Sequence, residues 1–219
     1  SNLVVRAARA LGAAIGRAPL ARIVLTKRLP VASGIGGGSA DAAACLTGLA
    51  KLWGIDPKGQ AVMEVAAALG SDIPVCVGGR AAFMGGIGTE IAPAPALPPA
   101  WLVLANPGIA LATPSVYRAR QGTFRPAARF GETFASAADL ASCLAQRSNN
   151  LTDAAIGLVP EIGTVLEALG GTAGCLLARM SGSGATCFGL YADEAAAGRA
   201  ATAIRNAHPR WWVEPGRLL

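Results

Sequence analysis

The sequence predicts an α+β protein in two parts. The second half alternates strand-like and helix-like segments. A proline-rich, uncharged stretch, "APAPALPPA" at 92–100, holds four of the fourteen prolines and reads as a semi-rigid linker. And 219 residues that are 53% hydrophobic and 15% charged carry enough apolar surface to bury a sizeable core.

The elements follow in order. "SNLVVRAARALGAAIGRA" spaces its arginines at helical intervals among apolar residues, so it predicts an amphipathic helix and not a secretory signal. "RIVLT" (22–26) has the β-branched content of a strand that Pro30 ends. A glycine-rich turn leads into "SADAAACLTGLAKLW", where Ala42, Cys45, Leu46, Leu49 and Trp53 recur at helical spacing before Gly54 closes the helix. A second helix spans about 58–69, with Gly70 as its C-cap and Pro74 preventing continuation.

"GRAAFMGGIGTEIAPA" predicts a hairpin about Gly85, Gly86 and Gly88. Beyond the linker, "WLVLANPG" is a buried strand and Thr113 starts a helix with Pro114 in its first turn. Residues 121–136 read as irregular. Helices follow at 149–156 and 160–169, then a strand at 175–179, a second glycine turn "SGSG", a strand at 185–191, a helix at 193–206 and a last strand around "WWVE".

Charge and cysteine content narrow the function classes. The net charge of +6 comes from scattered residues, with only Lys27 and Arg28 adjacent, and no basic cluster interleaves with aromatics; a nucleic-acid partner is not expected. No apolar run approaches the ~18 residues of a membrane span. The five cysteines, at 45, 76, 143, 175 and 187, form no C-x-x-C pair, and reduced thiols in a cytoplasmic protein are the simplest reading.

The glycine turn at 30–43, "PVASGIGGGSADAA", carries the chemistry. A strand, a glycine-rich turn and a helix N-terminus together bind phosphate, because free backbone N–H groups and the helix dipole meet at the anion. Glycine lets the backbone approach closely. A Walker loop needs a lysine after the glycines, and none follows. A dinucleotide fingerprint counted from Gly34 meets Ser39 where Gly or Ala belongs. The hydrolase elbow fails because Asp41 occupies its last position. A plain tight turn would need only one or two glycines.

The remaining pattern, P-x-x-x-G-I-G-G-G-S, resembles the ATP-binding motif of the GHMP small-molecule kinases. Two further stretches match that family in order: "LGSDIPVCVGGRAAFMGGIGTEI" (69–91), similar to its catalytic-aspartate segment, and "MSGSGATCFGLY" (180–191), similar to its C-terminal glycine motif. "LVLANPGIALATPSVYRA" (102–119) and "SNNLTDAA" (148–155) narrow the resemblance to members acting on a cytidine diphosphate-linked methylerythritol.

The resemblance implies a two-domain fold. Residues 1–96 would form an ATP-binding domain like ribosomal protein S5, incomplete at its first strands, and 97–219 a ferredoxin-like α/β sandwich. It implies ATP and Mg²⁺ as cofactors. Pro30, Val31, Ala32 and Ser33 would lead into the phosphate loop, Gly34, Ile35, Gly36, Gly37 and Gly38 would wrap the phosphates, and Ser39 and Ala40 would open the helix. Ser39 suits a helix cap and, as the family implies, a metal ligand through its hydroxyl.

Asp72 is the implied catalytic residue. It follows a helix end among apolar residues whose partial desolvation would raise its basicity, though a carboxylate there also suits a capping role. On the substrate side stand Thr113, Tyr117, Gly182, Ser183 and Gly184. Tyr117 shares a helical face with Thr113 and would stack on the cytosine, the alternative being an ordinary core tyrosine. Arg118, Arg120, Arg125 and Arg129 lie nearby in sequence and are candidates to face a diphosphate, with a solvated helix face the favoured reading. His208 is assigned no chemistry.

The family pattern also has an earlier strand with a lysine beside the aspartate and a Gly-Tyr-His stretch against cytidine. Neither occurs in these residues, and Lys27 and Lys51 lie in the wrong elements to substitute. The chain therefore reads as N-terminally truncated, with the full-length product expected to be the active form. The expected protein is a cytoplasmic kinase, monomer or homodimer, taking a small-molecule substrate without nucleic-acid or membrane partners. The alternatives are a homoserine- or mevalonate-type kinase of the same family, or a non-catalytic nucleotide-binding fragment.

Overall fold

The computed structural model describes residues 2–30, 33–86, 88, 90–126, 128–131 and 133–218. The chain divides into two compact units, Ser1–Lys27 with Gly36–Ala94, and Arg28–Ile35 with Pro95–Leu219.

Helices dominate the first unit. α1 (Leu3–Ala14) starts at Asn2, whose side chain accepts from the Val4 N–H at 2.9 Å. α2 (Gly37–Trp53) ends at Gly54, which takes the left-handed conformation with φ 74°. α3 (Gln60–Leu69) stops at Gly70. These helices and α4 (Ile73–Gly78) bury one stripe each, joining Leu11, Leu46, Val62 and Ile73 in a common core. Burial of such a side chain contributes about 1.5–3 kcal/mol. β1 (Ala82–Gly85) and β2 (Glu90–Pro93) pair antiparallel as the expected hairpin, with Gly85 opposite Glu90.

Two expectations need correction here, and one holds with an addition. Residues 22–26 form no strand and are mostly exposed, Val24 at 77%, because among the described residues no neighbouring strand supplies their hydrogen-bond partners. Pro74 does more than stop α3: it stands in the first turn of α4, where its missing N–H has no intrahelical role. And α2 begins before Ser39, with Gly36 as its N-cap.

The second unit holds a four-stranded antiparallel sheet. Its strands are β3 (Trp101–Asn106), β4 (Leu177–Met180), β5 (Cys187–Tyr191) and β6 (Trp212–Arg217), in the order β4-β5-β3-β6. α5 (Thr113–Ala119), α6 (Ala137–Ala145), α7 (Thr152–Leu158) and α8 (Glu161–Gly170) connect β3 to β4, and α9 (Glu194–Ala207) connects β5 to β6. That order and pairing make the ferredoxin-like sandwich.

Alternation along the strands sorts the two faces. Val103, Ala105, Cys187 and Tyr191 pack with Ile162, Val165 and Leu169 of α8 and with Ala197 and Ile204 of α9. Leu102, Leu177 and Leu190 face the other way, onto Leu140 and Ala141 of α6. Burial pushes the Cys187 thiol up to about 12, so it serves as a small neutral core residue.

α6 lies just past the stretch that reads as irregular in the sequence, in residues to which the sequence reading assigns no element. Its start is set by Ser136, whose hydroxyl caps the helix by accepting from the Asp139 N–H at 3.1 Å and also donates to the Asp139 carboxylate at 2.9 Å. α7 begins three residues later than predicted. The Asn149 side chain accepts from the Leu151 N–H at 2.9 Å and holds a turn before the helix. No described helix is long and apolar enough to cross a membrane.

Candidate active site

In the first unit the phosphate-loop pattern becomes the start of a long helix. Gly36 caps α2 with φ 69° and no side-chain hydrogen bond, and no acidic residue occupies the first turn. A 17-residue helix thus presents its N-terminal dipole and N–H groups without a side-chain acceptor. A Cβ built on Gly36 or Gly38 meets nothing within 4 Å. Bare backbone over open space is what close approach of phosphoryl oxygens requires. The residues present therefore fit a triphosphate.

Ser39 sits inside α2 and not at its cap, and among the described residues its hydroxyl takes no partner. Ala40 donates to the Gly36 carbonyl at 2.9 Å, the first turn of the helix. Lys27 pairs with Asp41, tying the segment before the loop to α2. Val31 and Ala32 lie outside the described residues.

Asp72 precedes α4 and shows neither the burial nor the capping bond that the sequence reading expects of it. Its carboxylate makes no capping hydrogen bond. It is exposed, not desolvated by the apolar residues around it, because Ile73, Pro74 and Val77 turn into the helical core beneath. Its one hydrogen bond is from the Ser71 hydroxyl at 3.2 Å. The hairpin turn braces this pair: Gly88, at φ 90°, approaches so closely that a Cβ there would lie 2.2 Å from the Ser71 Cβ. In the sequence Gly88 stands out only as a turn residue.

In the second unit the two glycine motifs meet. The Ser181 hydroxyl donates to the Gly34 carbonyl at 3.0 Å across 147 residues of chain, and the Thr186 N–H donates to the Ser33 carbonyl at 3.3 Å. A Cβ on Gly34 would stand 2.4 Å from the Gly184 oxygen, and one on Gly182 would stand 2.9 Å from the Gly34 oxygen. Pro30 and Ile35, on either side of this contact, are half-buried.

The second glycine turn is held by groups that sequence reasoning does not single out. Asn149 donates to the Met180 carbonyl at 3.1 Å and to the Gly182 carbonyl at 2.7 Å. Asn106 donates to the buried Thr186 hydroxyl at 2.8 Å and accepts from the Gly108 N–H at 2.8 Å. The asparagines lie inside "SNN" and "ANPG", but nothing local shows which groups they reach.

Thr113 and Ser183 join hydroxyl to hydroxyl at 2.7 Å, bringing the start of α5 onto the glycine turn. One turn along α5, Tyr117 is 54% exposed, which removes the reading as a core residue and leaves an aromatic face available. Arg118 is exposed and donates to Ser115 at 3.2 Å, as a solvated helix face predicts. His208 stacks on Trp211 at 3.7 Å between ring centroids.

Residues 2–80 match the GHMP kinases N terminal domain and residues 130–210 the GHMP kinases C terminal. The 4-diphosphocytidyl-2-C-methyl-D-erythritol kinase of Paramagnetospirillum magneticum is 54% identical over 100% of this chain and 76% of its own length. The enzyme of that name from Rhodospirillum rubrum is 50% identical over 100% of this chain and 72% of its own.

A crystal structure of 4-(cytidine 5'-diphospho)-2C-methyl-D-erythritol kinase superposes with a TM-score of 0.78 at 34% identity, covering 98% of this chain and 78% of that one. Homoserine kinase from Cytophaga hutchinsonii shares the fold, with a TM-score of 0.69 at 17% identity over 99% of this chain and 78% of that one. From the match of both domains and of relatives aligned along its whole length, the chain belongs to the GHMP kinase family, in the branch of the 4-diphosphocytidyl-2-C-methyl-D-erythritol kinases.

Proposed function

We propose that the chain phosphorylates the 2-hydroxyl of 4-diphosphocytidyl-2-C-methyl-D-erythritol from ATP, as a cytoplasmic step of non-mevalonate isoprenoid precursor synthesis. The observation that carries the substrate is the 54% identity to a kinase of that name over the whole chain. The homoserine kinase likeness, at 17%, extends to the fold alone. All five cysteines are unpaired thiols, which suits a reducing compartment.

ATP supplies the phosphoryl group, and Mg²⁺ spreads its charge. For the nucleotide we assign the backbone from Pro30 to Ala40, with the α2 N-terminus neutralising the phosphates and Gly36 and Gly38 leaving them room. The unpartnered Ser39 hydroxyl would be the protein's hold on magnesium, an oxygen donor of the kind that hard cation takes.

Asp72 orients the substrate hydroxyl and accepts its proton late in transfer. An exposed carboxylate suits this, because a loose transition state asks more of positioning than of basicity. Thr113, Ser183 and the turn Gly182–Gly184 bound the substrate, and Tyr117 offers its exposed ring to cytosine.

The test is coupled ADP release with ATP, Mg²⁺ and the cytidylyl substrate, using the natural gene product that contains this chain and its Asp72→Asn variant. Turnover that a cytidine nucleotide inhibits competitively, and that falls about 10²–10⁴-fold in the variant, is expected. A protein that binds ATP but phosphorylates homoserine or mevalonate instead, or nothing, would overturn the assignment.

A further inference from the structure

A cavity of about 410 Å³ in the second unit gathers Arg120, Arg125, Arg147 and Arg179 around Asn149, and its lining includes one acidic residue, Asp153. None of these arginines has a carboxylate partner among the described residues, where the ion pairs are Lys27 with Asp41 and Arg205 with Glu214. Their contacts are neutral. Arg147 donates to the carbonyls of Ala128 at 2.6 Å and Cys143 at 2.5 Å, and Arg179 to those of Leu144 and Arg147, each at 2.7 Å.

Those two guanidinium groups therefore sit at the C-terminal end of α6, whose negative dipole end compensates part of their charge. Arg120 and Arg125 reach no α6 carbonyl. Arg125 donates to Ser148 at 2.5 Å, while Arg120 donates to the Gly122 carbonyl at 2.7 Å and stacks its guanidinium 3.7 Å from the Phe124 ring centroid. The Arg120 Nε is buried without an acceptor, which is unusual for so strong a donor.

We propose that this cavity, whose lining shares no residue with those assigned above to nucleotide and substrate, is an anion site of its own, which takes a small ligand carrying a diphosphate or two phosphoryl groups. Four preorganised cations facing one carboxylate attract such a ligand, and planar guanidinium groups match phosphoryl oxygens bidentately. Asn149 lines the cavity and also holds the Gly182 carbonyl, so an occupant meets the residue that positions the second glycine turn. The binding claim does not depend on the kinase assignment.

Calorimetric titration with inorganic pyrophosphate tests it, in the presence of magnesium and saturating concentrations of both a non-hydrolysable ATP analogue and CDP. We expect binding that persists under these conditions and weakens at least tenfold in the Arg120→Gln, Arg125→Gln double variant. The single Arg125→Gln change, at an exposed side chain with one contact, keeps the fold and weakens binding about threefold. Absence of binding, displacement by the nucleotide analogue or by CDP, or equal affinity in the variants would each overturn the proposal.

Discussion

Gly36 and Gly38, in the first glycine turn, have nothing within 4 Å of where a Cβ would stand, whereas Gly182 and Gly184, in the second, would each place one 2.9 Å from a neighbouring atom. Similar-looking glycine runs thus serve different needs. In the first turn the absent side chain keeps space open for a ligand. In the second it lets backbone and side chains close together in a unit already packed. Gly34 lies in the first motif by sequence but behaves like the second, with φ 74° and the Gly184 oxygen 2.4 Å from where its Cβ would stand. Glycine spacing therefore marks a phosphate loop without saying which of its glycines touch phosphate.

Substitutions can break this comparison, beginning with the largest effect. Gly34→Ala must adopt a left-handed conformation and displace the Gly184 backbone, so a loss of about 2–5 kcal/mol in denaturant unfolding is expected. Equal stability of the variant would mean that the two turns do not pack as described. Asn149→Ala strips the Met180 and Gly182 carbonyls of a donor. That change should destabilise the protein by about 1–3 kcal/mol, read from the same curves.

Gly38→Ala separates binding from stability. Its backbone is helical and its surroundings are open, so stability should hold or rise by up to about 1 kcal/mol. ATP affinity, measured calorimetrically, should nevertheless fall about tenfold, or about 1.4 kcal/mol. Undiminished affinity would remove Gly38 from the phosphate cradle. The smallest change in stability is expected for Ser39→Ala, below about 0.5 kcal/mol, because Gly36 and not Ser39 caps α2. Its effect belongs instead in the magnesium dependence of turnover, and a large drop in melting temperature would show that the hydroxyl has a structural role.

Much of the fold is legible in the sequence because its signals are local. α2 follows from five residues at helical spacing, and the hairpin from glycines between two short strand patterns. α4 is hidden because Pro74 reads as a stop, when proline equally suits a first helical turn. α6, between the irregular stretch 121–136 and the helix read at 149–156, goes unassigned although Ser136 and Asp139 carry a capping-box spacing. "RIVLT" shows the opposite failure: β-branched residues favour a strand, but pairing needs a partner that residues 22–26 do not find.

The site divides along the same line. The phosphate-loop pattern, the aspartate segment and the second glycine motif can be read from residue type and order, since backbone freedom and charge are properties each residue brings with it. The exposure of Asp72, the closeness of Gly88 to Ser71 and the hydroxyl contact of Thr113 with Ser183 cannot. Nor can the convergence of Arg120, Arg125, Arg147 and Arg179, which lie on separate segments until the sheet and α6 bring them to one cavity. By itself the sequence determined the family, the α+β architecture and which residues have the right chemistry. Only the tertiary structure decided which are buried, which meet and which glycines face open space, because solvation and contact depend on what other segments of the chain place nearby.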